Sequence, residues 1–296
     1  MVHVYGLYDL LGPAVGASCR KQSVPYVLEP MGMFRPIVRT IRLKRLYHRT
    51  LGRDLIRNAR FLVSTSEQER RELMEDGIEP HRIVVRRNGV DGPEKMPERG
   101  EFRRQIGVAE HSRMVLFLGR LVSKKRPDLL IEAFARWREK SRSAEDSVLV
   151  LAGPEEDKGY AAGLKRKASE LGLSQHIRFA GPLYDDAKWR AYRDADVFVL
   201  PSQNENFGNT AAEAVVCGTP VIVTDSCGIA PFVKRAGRVV SQSPEDLVRA
   251  LAELLDDPDL RQRYRQGCEE MARSLSWNDP VDEMEGLYER CLKGAA

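Results

Sequence analysis

Leu200-Pro-Ser-Gln-Asn-Glu205-Asn-Phe-Gly-Asn-Thr210-Ala-Ala-Glu213-Ala214 is the stretch on which the reading of this chain turns. The run before it, Asp196-Val-Phe-Val-Leu200, is short and apolar, as a buried strand is. The run after it, Thr210 to Cys217, favours helix. Gly218-Thr-Pro220 stops that helix, and Val221-Ile-Val-Thr224 reads as the next parallel strand. A strand–loop–helix–strand unit places its first loop at the carboxyl end of an open sheet, where ligands bind. Asn206, Phe207, Gly208, Asn209 and Thr210 lead into the first helical turn. The N–H groups of such a turn have no partner inside the helix and, with the helix dipole, favour an anion such as a diphosphate. Gly208 lets the backbone approach a ligand closely. Glu205 and Glu213 flank that position, and a carboxylate suits sugar hydroxyls because it accepts two hydrogen bonds in a fixed plane. The spacing fits two readings: a nucleoside diphosphate sugar with Glu213 at its ribose and Glu205 at its sugar, or a capped surface helix with two solvated glutamates.

The chain has 296 residues, 42% hydrophobic and 30% charged, enough for one large domain or two modest ones. The formal net charge of +4 is mild. No uninterrupted apolar run approaches the ~20 residues of a membrane span. Met1-Val-His-Val-Tyr5 is not a charged start followed by an apolar core, so no signal peptide is expected. The cysteines Cys19, Cys217, Cys227, Cys268 and Cys291 are scattered, odd in number and without metal-ligand spacing. They fit a reduced, cytoplasmic protein without structural zinc.

The alternation of strand and helix continues outward from the central stretch. Met114-Val-Leu-Phe-Leu-Gly119 is a buried strand. The loop after it carries Arg120 and Lys125 before Pro127, a favoured first helical residue. A guanidinium and an ammonium at a strand's carboxyl end suit a leaving diphosphate, and also suit plain surface charge. Ser147 to Gly153 and His176 to Ala180 are further strands, with the acidic loop Pro154 to Lys158 between them and Leu183 after the second. From Pro244 the chain is helical. Alternation over 111–243 implies a parallel sheet covered on both faces.

Toward the amino terminus, Val2 to Gly6, Val24 to Leu28, Ala59 to Thr65 and Ile83 to Arg86 read as strands, and Ser66-Glu-Gln-Glu69 as a capping box. Gly92-Pro-Glu-Lys-Met-Pro-Glu-Arg-Gly100 is polar and broken, an interdomain linker. From Arg35 to Arg60 lysines and arginines face a single acid, Asp54, with Ile37, Val38, Ile41, Leu46 and Tyr47 as an apolar stripe. Residues 35–60 therefore read as an amphipathic helix that docks on an anionic membrane surface, or as a solvated basic face on a packed helix. Nucleic acid is disfavoured, because no stacking motif or zinc module accompanies the charge.

Glu205-x7-Glu213 with Asn-Phe-Gly inside it and Glu-Ala-Val-Val-Cys-Gly-Thr-Pro-Val after it resembles the carboxyl-terminal signature of the family 4 retaining glycosyltransferases. Gly119-Arg-Leu-x-x-x-Lys125 and, farther upstream, His3-Val-Tyr-Gly6, Pro25 to Met33 and Asn88-Gly-Val-Asp91 are similar to other motifs of that family, in its order. The resemblance implies a GT-B fold: two Rossmann-like α/β domains with parallel sheets, the amino-terminal one incomplete because several strand–helix units expected before Val2 are not in the chain. The expected division is 1–98 for the partial acceptor-side domain, 99–276 for the donor-binding domain, and 277–296 for a terminal helix crossing back to the first.

The resemblance further implies retention at the anomeric carbon, no bound metal and no cofactor beyond a nucleotide diphosphate sugar as co-substrate. Arg120 and Lys125 would hold the donor phosphates beside Gly119, Glu205 would act at the sugar, Glu213 would hold the ribose, and Leu183 would lie near the base. The loop Glu29-Pro-Met-Gly-Met33 lacks the histidine many relatives carry there, which leaves His3 and Glu29 as acceptor-side candidates. The implied acceptor is a saccharide or a lipid-linked sugar in surface polysaccharide assembly, at the inner membrane face. A truncated nucleotide-sugar-binding subunit, inactive without a partner chain or an upstream segment, is the alternative from another class; the incomplete sheet, with an apolar edge and face exposed, implies self-association or a partner chain. A sugar-nucleotide epimerase is a third.

Overall fold

The short apolar runs of the amino-terminal third become strands because each has something to bury on both of its faces. In the computed structural model, which describes residues 1–34, 46–141 and 144–293, they are β1 (Val2–Tyr5), β2 (Tyr26–Glu29), β3 (Phe61–Ser64) and β4 (Ile83–Val85). They form a four-stranded parallel sheet in the order β1-β2-β3-β4. Tyr26, Leu28 and Leu62 pack on one face with Cys19, Leu55 and Leu73. Those partners come from α1 (Leu11–Lys21), α2 (Leu51–Asn58) and α3 (Glu67–Glu75). Val27 and Val63 face the other way, against Met284, Leu287 and Cys291 of α11 (Asn278–Lys293), the last helix. Of the basic stretch, 35–45 lie outside the described residues; its described end includes α2.

The capping box of α3 is half as expected. Ser66 Oγ accepts from Glu69 N at 3.1 Å. The carboxylate of Glu69 accepts from the main chain of Thr65 at 3.0 Å and of Gly32 at 2.6 Å, so it also anchors the loop after β2.

Met1–Gly89 with Trp277–Ala296 form one compact unit and Val90–Ser276 the other. The division precedes the Pro/Gly-rich stretch that reads as a linker. Val90 already belongs to the second unit, where its N–H donates to Leu275 O at 2.8 Å and its side chain packs on the core.

The second unit holds β5 (Met114–Leu118), β6 (Val148–Ala152), β7 (Ile177–Gly181), β8 (Val197–Leu200), β9 (Val221–Thr224) and β10 (Gly237–Val240). All pairings are parallel, in the order β10-β9-β8-β5-β6-β7. Side-chain alternation divides its core in two. Met114, Leu116, Leu118, Phe198 and Leu200 face α7 (Asp185–Asp194) and α8 (Asn209–Val216). Val115, Phe117, Val197 and Val199 face α5 (Pro127–Lys140), α6 (Lys158–Glu170) and α9 (Pro244–Asp256). Between β5 and α5, Ser123–Lys125 form a single 3-10 turn; α4 (Glu101–Gln105) precedes β5, and α10 (Pro258–Arg273) follows α9. All five cysteines are buried and free.

Candidate functional site

β5 and β8 are neighbours, but the chain leaves β5 toward β6 and leaves β8 toward β9, on opposite sides. Their carboxyl ends therefore flank the switch point of the sheet, the crevice in which doubly wound α/β proteins take ligands. The loop after β5 carries Gly119, Arg120 and Lys125, and the loop after β8 carries Glu205. The two loops are tied by a bond from Gln203 N to Lys124 O at 2.9 Å. Lys125 Nζ forms an ion pair with Glu205 Oε2, and both side chains are mostly buried, 14% and 19% exposed. Arg120 is not part of that pair. It is more than half exposed and turns to Glu156 Oε2 at 3.1 Å, in the acidic loop after β6. That loop lies close to the β5 loop because Leu121 N donates to Pro154 O at 3.0 Å. Gly153 makes the approach possible: at φ +142° it sits where a Cβ would come within 1.9 Å of Gly119 O.

Glu205 is held by its main chain. Its N–H donates to Ser226 O at 3.0 Å, and its carbonyl accepts from Gly228 N at 3.0 Å, a bridge between the loop after β8 and the loop after β9. Two residues on, Phe207 O accepts from Ile229 N at 2.6 Å. The Phe207 ring is buried in the core, so the residue offers a ligand only its backbone. Gly208, at φ +108°, starts α8, whose first turn carries no acidic residue. Asn206 and Thr210 are half-buried and Asn209 exposed around this start.

Glu213 lies in the second turn of α8 and is gripped from α7. Lys188 Nζ reaches Oε1 at 2.6 Å and Tyr192 OH donates to Oε2 at 2.8 Å. Lys188 also stacks over the Trp189 ring at 4.4 Å. Burial, and then the Glu213 charge, hold the Tyr192 phenol well above its ordinary range, so it stays a donor. Lys188 and Tyr192 stand one helical turn apart, and the sequence reading passed over them. Their spacing shows a shared face, but nothing in it shows that the face meets Glu213. Leu183 is half-buried after β7, packed against the core.

The acceptor-side candidates sit in the first unit. Glu29, 2% exposed, is bonded to Arg86 at 2.5 Å. His3 Nδ1 meets Tyr288 OH at 2.8 Å, its Nε2 lies 3.6 Å from Glu29 Oε2, and its ring stacks on Tyr5 at 4.0 Å. Burial, and then the Arg86 charge, push the imidazole down to about 4. Burial raises Glu29 above its usual range against the pull of Arg86. Because folded His3 resists protonation while the unfolded chain accepts it near pH 6.5, its stabilisation is complete above that pH and lost as pH falls toward about 4. Glu29 acts in the opposite sense, losing stability as pH rises past its ordinary value. We expect wild type to lose about 2 kcal/mol through His3 between pH 7 and pH 5. His3→Gln should lack that increment in urea titrations at the two pH values. Equal losses in both proteins would remove the assignment.

Among the described residues, no group of three or more His, Cys, Asp or Glu side chains could hold a metal ion. None of their helices is long and apolar enough to cross a membrane. A protein-family model described as Glycosyl transferases group 1 matches residues 98–271, and one described as Glycosyl transferase 4-like domain matches 1–89. The D-inositol 3-phosphate glycosyltransferase of Thermomonospora curvata is 33% identical over 255 residues, 81% of this chain and 59% of that protein. The protein of the same description from Corynebacterium glutamicum is 33% identical over 251 residues, again 81% and 59%. The chain thus spans about three fifths of the length of these curated relatives. Among solved structures, HepE of Anabaena in complex with UDP superposes with a TM-score of 0.81 at 18% identity, over 98% of this chain and 78% of that one. Sucrose-phosphate synthase from Thermosynechococcus elongatus gives 0.79 at 23% identity, over 100% and 74%.

Proposed function

We propose that this chain, which belongs to the glycosyl transferases group 1 and has the GT-B fold of its structural neighbours, moves a sugar from a nucleotide diphosphate donor to an acceptor hydroxyl. The observation that carries the reading is the pairing of Lys125 with Glu205 at the switch point, beside the amino terminus of α8. Lys125 exchanges its carboxylate partner for the donor diphosphate, and the start of α8 adds its dipole to the same charge. Glu205, released, faces the sugar. Glu213, already fixed by Lys188 and Tyr192, receives the ribose hydroxyls. Arg120 swings from its exposed pair with Glu156 to the phosphates, a cheap exchange because exposed ion pairs contribute little. These cations take the part a metal would play on the leaving group. Retention then follows from displacement on one face, the departing phosphate taking the acceptor proton. The carboxylate pair does not work as in a glycosidase, since one of the two is committed to the nucleotide.

The curated relatives are described as acting on D-inositol 3-phosphate. We assign a polyhydroxylated acceptor of that kind, or a saccharide or lipid-linked sugar of surface polysaccharide assembly. The basic stretch would hold the protein on anionic lipid: Arg49, Arg53 and Arg57 recur every fourth residue on exposed positions, beside exposed Leu46 and Leu51. The test is calorimetric titration of UDP, GDP and ADP into the purified chain, followed by transfer assays with inositol phosphate and lipid-linked acceptors. Binding of one nucleotide is expected. No binding of any of the three to a folded, monodisperse sample would overturn the donor site and favour a subunit that needs a partner.

A further inference from the structure

Pro127, the first residue of α5, pushes the residue before it toward extended backbone. Arg126 is that residue, and it is not extended. Its φ of +54° and ψ of +39° lie in the left-handed region, where the Cβ of an ordinary residue crowds the next carbonyl. Strain is thus stored one residue from Lys125. Glycine would take the same conformation without that crowding, so an arginine here has to be held.

It is held by side chains from two helices. Arg126 Nε donates to both oxygens of Asp128, in the first turn of α5, at 3.2 and 3.3 Å. Tyr160, in α6, donates its hydroxyl to Oδ1 of the same carboxylate at 2.5 Å. Burial, and then Asp128, hold the Tyr160 phenol above its ordinary range, so it stays a donor. Its ring packs on the core that α5 and α6 cover, which gives the relay a fixed end. The main chain closes tightly around Arg126: its N–H donates to Ser123 O at 3.2 Å, and its carbonyl accepts from Leu129 N at 3.1 Å. Turning Arg126 to extended backbone would reorient the Ser123–Lys125 turn against α5 and carry the ammonium away from Glu205.

We propose that Arg126, Asp128 and Tyr160 are positioning residues for Lys125. The guanidinium, fixed on Asp128 and through it on Tyr160, keeps Arg126 left-handed and so fixes the turn that presents the ammonium. The role this gives Lys125 rests on its reading as the cation on the leaving diphosphate; its placement does not.

The experiment is acetylation of lysines by an N-hydroxysuccinimide ester of acetic acid, followed at Lys125 and Lys188 by tandem mass spectrometry. The proteins are wild type, Arg126→Ala, Arg126→Gly and Tyr160→Phe, with Glu205→Ala as the control that frees Lys125. Arg126→Ala keeps the left-handed penalty and loses the guanidinium, so Lys125 should react about tenfold faster, the shift expected when that penalty is no longer offset. Tyr160→Phe should move in the same direction. Arg126→Gly also lacks the guanidinium but accepts the conformation, and should react as wild type does. Lys188, paired with Glu213 in the same unit, should keep its rate throughout, whereas general loosening would speed both lysines. Equal Lys125 rates in Arg126→Ala and wild type, equal acceleration in Arg126→Ala and Arg126→Gly, or acceleration of Lys188 alongside Lys125 overturns the proposal. The kcat for donor turnover, measured on the same variants, should fall where Lys125 is freed while donor KM stays. Freed Lys125 with unchanged kcat upholds the positioning and overturns the leaving-group reading.

Discussion

Replacing Lys125 by alanine is expected to lower kcat for sugar transfer by about 10²–10³-fold, the usual cost of removing one positioned group that stabilises transition-state charge. Replacing Arg120 by alanine should cost about tenfold or less. The difference follows from where the two cations stand. Lys125 is mostly buried against Glu205, so it enters the transition state already placed and partly dry. Arg120 is solvated, held by an exposed pair with Glu156, and must be reoriented first. Steady-state rates of donor turnover for the two variants give the comparison. If Lys125→Ala retains wild-type kcat, or if the two losses are equal, the assignment of Lys125 to the leaving group fails.

Glu213→Ala should weaken nucleoside diphosphate binding by about 10–100-fold, the loss of hydrogen bonds to a charged acceptor. It carries a second signature. Tyr192 is buried and loses the acceptor of its hydroxyl, so the protein should also lose about 1–3 kcal/mol of stability. Glu213→Gln keeps an acceptor for Tyr192 and should recover most of the stability without the affinity. Calorimetry with the preferred nucleotide, and urea titration of the three proteins, separate the two effects. Unchanged affinity in Glu213→Ala would leave Glu213 as no more than a partner for Lys188 and Tyr192.

The elements around this site were readable because they are local. β5, β8 and β9 are continuous apolar runs, as strands covered on both faces must be, and the start of α8 is set by one glycine at positive φ. Side-chain partners were less readable, because they join elements far apart in sequence. Glu29 meets Arg86 across 57 positions. Glu69 reaches back to Gly32, beyond the capping box its spacing suggests. Arg120 turns to Glu156 because the loop after β6 is close enough to offer it a carboxylate, and no pattern within either loop announces that approach. Likewise, the face that Lys188 and Tyr192 share is visible in their spacing, while its neighbour is decided by packing.

The main-chain stitching of Glu205 and Phe207 to residues 226–229 has a consequence for anyone reshaping this protein. Insertions or deletions in the turn after β9 would shift the register of those bonds and move Glu205 with them. A directed-evolution library should therefore leave 225–230 at native length. Length variation is better placed at the exposed residues 155 and 156, ahead of the Asp157 cap of α6, where no backbone bond among the described residues runs to the Glu205 loop.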